Sequence, residues 1–318
     1  MAKMAGLAMQ LQGRNVMRPG VWKLFGIFLM AGLMAAPGWA ASTAVATAPP
    51  EGKAQGGSLE EVNKELSNPV SSVWSISFQQ NNYLLDIEGK EDRWNSNLNF
   101  QPVLPVTLIK DWNLLTRPVV TVFNTMPHPN PRNPADVEAT TGFGDTILME
   151  MLAPTPRLAG KWLLGIGPTF IFPTASSDFT GQGKWQAGPA VVVGYLSEKW
   201  ILGAFAQNWT SFAGDSNRPD VNQMNFQPIA AYFLPGGWSI GYSGNVLANW
   251  KSDSARNVWT VPIGIGVGKV VKLGPLPVKI SLGIQYMVQR PENFGQQWNI
   301  QLGVTPVIPK LIKGTLFD

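Results

Sequence analysis

Long polar gaps and tight turns alternate between twelve strand-like segments of this 318-residue chain. The segments begin near Val73, Asn95, Trp112, Gly142, Lys161, Gln186, Lys199, Asn222, Trp238, Val258, Pro277 and Gln297. Long gaps follow the odd-numbered segments, at residues 81–92, 124–141, 174–184, 213–220, 251–257 and 289–296, whereas 197–199 and 235–237 are tight hairpin turns. This pattern predicts an all-β fold over residues 69–318, a closed antiparallel up-and-down transmembrane β-barrel of about 12 strands.

Polar and apolar residues alternate with a period of two within these segments, which predicts one wet face and one apolar face. Residues 95–102 and the segments near the C-terminus show it most clearly. We take the polar face as the candidate pore lining, with Asn97, Asn99, Gln101, Gln285, Asn299 and Gln301. Small residues on that face at Gly264, Gly266 and Gly268 predict a tightly bent strand or space for contents.

Two charged residues, Arg117 and Glu150, complete the candidate lining. Glu150 follows Met149 and precedes Met151, in an apolar segment where an unpaired charge is costly unless it faces the lumen and finds a partner. We expect Arg117 to be that partner. The pair is then either a structural ion pair or a weak selectivity element, and Glu150→Gln is expected to shift selectivity toward anions.

The first 40 residues have the layout of an export signal. Four basic residues precede an uncharged apolar stretch of 13 residues at 24–36, and small residues lead up to Ala40. Because about 20 apolar residues are needed to span a bilayer, we predict cleavage after Ala40 rather than an anchor. Translation starts at Met1 or at Met17.

The charge balance of the mature chain excludes a partner class. Of 24 basic and 20 acidic residues, four basic and no acidic ones lie in the signal, which leaves 20 of each. A nucleic-acid partner is therefore not expected, and an even balance predicts poor ion selectivity. The absence of cysteine excludes disulfides and thiolate metal sites.

Composition also separates the chain from soluble domains and from helical membrane proteins. Only 14% of residues are charged, against about 25% usually, yet mean hydropathy is +0.01. No apolar run in the mature part approaches the roughly 18 residues of a spanning helix. A barrel with one lipid-facing and one lumen-facing side explains both values.

Residues 41–68 form the predicted periplasmic leader. Residues 41–57 are rich in Ala, Thr, Pro and Gly, which indicates disorder. Ser58 and Glu61 have the spacing of a capping box that opens a short helix through Leu66, ended by Asn68 and Pro69. We favour a loosely attached helix; the alternative is a helix that lies against the barrel mouth or enters the lumen as a plug.

Nine tryptophans lie at the ends of predicted strands, which is typical of aromatic girdles at the lipid headgroups. They are Trp94, Trp112, Trp162, Trp185, Trp200, Trp238, Trp250, Trp259 and Trp298. The alternative, a soluble barrel or sandwich core, would concentrate tryptophan in the middle of strands.

Enzymatic motifs are weak. The single histidine, His128, lies between Pro127 and Pro129 in a predicted gap, where we expect it to be exposed to solvent and without a rigid partner. A Ser-His or metal mechanism needs a positioned imidazole. The glycines at 264, 266 and 268 lack the helix and the acidic residue of a dinucleotide site. We predict no catalytic residue, no cofactor, no metal and no enzymatic activity.

Ordered motifs across residues 68–310 resemble the outer-membrane proteins of the MetA-pathway of phenol degradation family, often labelled neuromedin U. They are QPVLP at Gln101, WNLLTRP at Trp112, GFGD at Gly142, GIGPTFIFPT at Gly165, GKWQAGP at Gly183, NWTSFAGD at Asn208, FQP at Phe226, GWSIGYS at Gly237, NWK at Asn249 and WTVPIGIGVGK at Trp259.

The resemblance implies a barrel in the outer membrane of a Gram-negative bacterium, with the leader in the periplasm. It implies a channel for small solutes, aromatic or hydrophobic ones among them. Expected partners are outer-membrane lipids, those solutes and the outer-membrane assembly machinery, although the tail ending in Phe317 and Asp318 departs from the usual terminal aromatic residue. The alternative functions are a structural barrel and an outer-membrane lipid-modifying enzyme.

Overall fold

The structure is a computed structural model that describes residues 57–242, 244–312 and 314–317. The predicted signal peptide and most of the predicted leader lie outside these residues. The described helices are α1 (Leu59–Ser67) and α2 (Pro156–Ala159), with 3-10 turns at Pro235–Gly237 and Ala255–Asn257. The described strands are β1 (Ser75–Asp86), β2 (Arg93–Ile109), β3 (Trp112–Pro129), β4 (Val137–Phe143), β5 (Thr146–Pro154), β6 (Trp162–Phe172), β7 (Lys184–Leu196), β8 (Trp200–Gly214), β9 (Asn222–Leu234), β10 (Trp238–Tyr242), β11 (Val246–Asn249), β12 (Trp259–Leu273), β13 (Leu276–Gln289) and β14 (Gly295–Pro306).

These segments form twelve strands of one closed barrel. β4 and β5 both pair with β3 and are one strand interrupted at Gly144 and Asp145. β10 and β11 both pair with β9 and β12, and they likewise make one interrupted strand. Each strand pairs antiparallel with its neighbours in the chain, and β1 pairs with β14 to close the sheet. The prediction of a closed antiparallel barrel of about 12 strands is confirmed.

Strand positions agree with the sequence pattern except beside one long gap. Eleven predicted starts lie within two residues of the observed ones. The exception is the fourth strand, which begins at Val137 instead of Gly142 because β3 and β4 extend past the predicted loop boundaries. The prolines at 127 and 129 hid this extension in the sequence. Within the connection at residues 130–136, the Asn130 Oδ1 atom accepts the backbone N–H groups of Arg132 and Asn133.

The connections differ at the two ends of the barrel, as the pattern predicted. Residues 110–111, 155–161, 197–199, 235–237 and 274–275 join strands at what we call the short-turn end. Longer connections, among them 173–183 and 250–258, lie at the long-loop end. No helix in the described part of the chain is long and apolar enough to cross a membrane.

The two faces of the wall have opposite character. On the outer face Leu302 is 48% exposed, whereas on the inner face Asn81 is only 1% exposed. Tryptophans form one ring at each end, as the predicted girdles require. The short-turn ring contains Trp112, Trp162, Trp200 and Trp238, and the long-loop ring contains Trp94, Trp185, Trp250, Trp259 and Trp298.

The interior is not uniformly polar. Inward side chains of β3 and β5 to β9 form a buried apolar cluster, to which the segment after α1 contributes one residue. The cluster consists of Val70, Leu115, Met149, Met151, Ala153, Leu163, Ala190, Val192, Ile201, Phe205 and Phe233. Buried polar side chains also lie on β6, β7 and β8, among them Thr169, Gln186 and Gln207, and a row of amides lies on β1, β2, β13 and β14.

Candidate solute pathway inside the barrel

Amide side chains of four adjacent strands meet on the inner face around Asn81. Asn81 pairs with Asn97 on β2 and with Gln301 on β14, and directly paired residues point to the same side of a sheet. The Asn81 Nδ2 atom donates to Asn97 Oδ1 at 3.0 Å, and Gln301 Nε2 donates to Asn81 Oδ1 at 3.0 Å. Next to them, Asn299 Nδ2 donates to Gln285 Oε1 at 3.3 Å. We call Asn81, Asn97, Gln285, Asn299 and Gln301 the amide ladder.

Further predicted residues continue this polar surface. Thr121 Oγ1 donates to Asn99 Oδ1 at 2.9 Å, and Arg117 Nη2 donates to Gln101 Oε1 at 2.6 Å. Seven of the eight candidate residues thus lie on the inner face, although their role in lining a pore stays a prediction. The sequence pattern does not identify Asn81, because it begins the polar gap at residues 81–92. Asn81 shares a strand face with Tyr83 and Leu85, which are not polar, so alternation does not mark this face as the polar one.

Glu150 is the exception, and its predicted pairing with Arg117 is wrong. In the register of β3 and β5, Thr116 pairs with Glu150 and Arg117 pairs with Met149. Adjacent residues of a strand point to opposite faces, so Arg117 and Glu150 lie on opposite sides of the wall. Glu150 faces outward, where its Oε2 atom accepts a hydrogen bond from Thr116 Oγ1 at 2.8 Å. The apolar neighbours Met149 and Met151 point inward, into the apolar cluster.

A cavity of about 290 Å³ lies against the inner wall. Gln79, Gln285 and Gln301 supply polar lining, and Leu66, Ile201 and Ile229 supply apolar lining.

Two cations, Arg117 and Lys279, and one acid, Glu65, also line the cavity. Lys279 Nζ donates to Ser67 Oγ at 2.7 Å, and Glu65 Oε2 accepts from Ser71 Oγ at 2.6 Å. No salt bridge among the described residues includes Arg117 or Lys279. The charge lining this cavity is therefore net positive.

Helix α1 packs against the inner wall at the short-turn end, so the favoured interpretation of a loosely attached helix is wrong. Both capping-box hydrogen bonds between Ser58 and Glu61 are present. Asn63 is fully buried, and its Nδ2 atom donates to the Gly237 carbonyl at 3.0 Å. Val62 packs with Val270 and Val307 in a second apolar cluster. Packing on the barrel, which the local sequence does not encode, holds the helix.

The carboxylate of Glu60, in the first turn of α1, binds the turn at residues 235–237. Glu60 Oε1 accepts the backbone N–H of Gly236 at 2.5 Å. Hydrogen bonds from the N–H of Glu60 itself and from Gly236 lower the pKa of the Glu60 carboxyl. Gly237 has a φ of 76°, and a Cβ atom there would lie 2.8 Å from Leu59 Cβ. Glycine at this turn is thus required both by the backbone and by the approach of α1.

His128 is buried, so its predicted exposure is wrong. It is 6% exposed, stacks on Phe179 with ring centroids 3.6 Å apart, and shares a 2.8 Å hydrogen bond between Nε2 and Thr140 Oγ1. The extension of β3 and β4 places it in the wall, where the 173–183 connection covers it. Among the described residues, no group of three or more acidic or histidine side chains could hold a metal ion.

No protein-family model and no curated protein matches this chain. Among solved structures, it is similar to the COG4313 outer membrane channel of Pseudomonas putida F1, with 14% identity, a TM-score of 0.55 and coverage of 76% of this chain and 98% of that one. It also matches the NanC porin at 8% identity and a TM-score of 0.44, over 74% and 99% of the chains. The outer membrane phospholipase A of Escherichia coli matches at 9% and 0.41, over 79% and 99%. The first likeness shows that the chain has the fold of an outer-membrane barrel.

Proposed function

We propose that this chain is an outer-membrane channel through which small solutes cross passively. The observation that carries the proposal is the amide ladder beside a cavity inside a barrel whose outer face is apolar and ringed by tryptophan. Such a surface suits insertion in a bilayer. A hydrogen-bonding lining suits the passage of solutes that must exchange water for protein contacts. The narrower assignment to the MetA-pathway of phenol degradation family rests on the sequence motifs alone.

The cavity lining suggests which solutes pass. Leu66, Ile201 and Ile229 offer apolar contacts beside the amides, which suits small aromatic or hydrophobic molecules with a polar group. Arg117 and Lys279 add positive charge that no described acid neutralises by an ion pair. We therefore expect a preference for anionic solutes. The even charge balance of the whole chain is not the relevant quantity, because only charges along the path select ions.

Planar bilayer recordings and liposome uptake test this function. Purified protein should give modest conductance with a reversal potential that favours anions, and liposomes containing it should admit small aromatic carboxylates. Lys279→Gln should reduce the anion preference. Lys269→Gln is the matched control, because Lys269 Nζ lies on the outer face, 4.5 Å from the centre of the Trp238 ring.

The control should leave the selectivity unchanged. If the protein neither conducts nor admits any of these solutes, the channel proposal fails. A structural barrel would then be the better interpretation, and phospholipid hydrolysis by the same liposomes would point to the lipid-modifying enzyme.

A further inference from the structure

One sector of the outer face is polar at a height where the remaining wall is apolar. Between the two tryptophan rings, the outward side chains of β6 to β14 are mostly apolar or aromatic, as at Leu202, Ile265 and Ile284. An exception is Asn208, whose Oδ1 atom accepts from Trp250 Nε1 of the long-loop ring. On β1 the outward positions include Gln80, which pairs with Leu302 of β14, and Asn82, which pairs with Ile300 of β14. Leu302 is 48% exposed and faces outward, so its directly paired residue Gln80 faces outward as well.

Four outward side chains of β1, β2 and β3 form a connected hydrogen-bond network. Gln80 Nε2 donates to Ser96 Oγ at 2.8 Å, and Ser96 Oγ donates to Asn82 Oδ1 at 2.9 Å. Asn124 Nδ2 donates to Gln80 Oε1 at 3.3 Å and to Ser96 Oγ at 3.4 Å. We call Gln80, Asn82, Ser96 and Asn124 the outer amide patch. Among the described residues, no hydrogen bond uses the Oδ1 acceptor of Asn124, which is exposed.

The patch reaches well inside the hydrocarbon layer expected for this barrel. Leu84 pairs with Trp94 and Trp298 of the long-loop ring, and Gln80 lies four residues further along β1. With about 3.3 Å per residue and a strand tilt of about 40°, Gln80 lies about 10 Å from that ring, within an apolar band about 25 Å tall. Polar side chains at such a depth are costly in contact with lipid and mark functional surfaces.

We propose that the outer amide patch is the interface of a homodimer. Copies inserted in one membrane share one orientation, so a two-fold axis along the membrane normal brings identical residues together at the same height. Amides both donate and accept hydrogen bonds, so the patch is complementary to itself, and the unused acceptor of Asn124 becomes available to the partner. Small polar side chains join membrane segments in this way. The inference rests on the proposed function only for membrane insertion.

Single cysteines test the interface directly, since the chain contains none. Asn82→Cys should give a covalent dimer in native membranes with a short apolar thiol cross-linker, because a two-fold axis places the two thiols close together. Ala204→Cys is the matched control on the outward face of β8 and should stay monomeric. Equal cross-linking at both positions, or none at Asn82→Cys, would overturn the proposal.

A second variant separates the interface from folding. Combined Gln80→Leu, Asn82→Leu, Ser96→Ala and Asn124→Leu should convert a dimer to a monomer in light scattering in mild detergent, while heat-modifiable gel migration shows an intact barrel. A wild-type protein that is monomeric there, or a variant that stays dimeric, contradicts the proposal. Conductance is measured separately, so a dimer that does not conduct refutes the channel and leaves the interface intact.

Discussion

Replacing Asn63 by Ala tests whether α1 controls the solute pathway. Asn63 is fully buried, and its amide satisfies the carbonyl of Gly237, which is itself buried. Removing one partner leaves that carbonyl without its hydrogen bond, at a cost of about 1–3 kcal/mol. At about 1.4 kcal/mol per tenfold change, docking of α1 should weaken by about 5-fold to 150-fold.

Weaker docking should appear as a larger open fraction in single-channel recordings. The last turn of α1 contributes Leu66 and Ser67 to the cavity lining, so release of the helix enlarges the path at the short-turn end. A cysteine at Leu66 should also react faster with maleimide when it is combined with Asn63→Ala.

Lys64→Ala is the control for this experiment. Lys64 lies on the same helix, and its side chain makes no hydrogen bond or ion pair among the described residues. It should change neither the open fraction nor the labelling rate. If Asn63→Ala behaves like Lys64→Ala in both measurements while the barrel stays folded, α1 does not gate the path.

Selectivity, acid response and topology provide three further measurements. Glu150→Gln should leave the reversal potential unchanged, because Glu150 faces outward; a shift toward anions would place it in the path. Since the pKa of Glu60 is lowered from 4.5, its contribution to docking is complete above pH 4.5 and is lost as the pH falls through the lowered value. Conductance should thus rise on acidification in the wild type and not in Glu60→Gln. A cysteine at Ser177 should react with an impermeant maleimide on whole cells and one at Glu198 should not; the opposite result inverts the topology.

Strand number, order and the positions of the tryptophan rings could be predicted because each depends on local pattern. A period-two alternation requires only that one face differs from the other, and a turn such as 197–199 is encoded by its own residues. The amide ladder was predicted in part for the same reason, since Asn97 and Gln301 share their faces with other polar residues. Asn81 completes the ladder only through the registers of β1 with β2 and β14, which are properties of the closed sheet.

The apolar cluster and the direction of Glu150 could not be predicted from alternation alone. In residues 147–152 both faces are apolar apart from one glutamate, so the pattern does not say which face is inside. The general rule that a charge faces the lumen gave the wrong answer. Burial of Leu115, Met149 and Met151 against Val70 decides the direction, and Val70 arrives from the segment after α1. A long-range contact therefore sets what the local sequence leaves open.

The outer amide patch and Glu150 are both polar surfaces on the outer side of the wall. The polar groups on the outer face of β1 to β5 meet lipid, so they need hydrogen-bond partners or a covering surface. The outer amide patch is stabilised by its own hydrogen bonds, and Glu150 by its hydrogen bond from Thr116. Both groups nevertheless present polar atoms to the lipid. Contact with a second barrel in the proposed dimer shields the patch from lipid and removes the cost of that exposure. Glu150 faces lipid and not the lumen, so its charge does not contribute to ion selectivity.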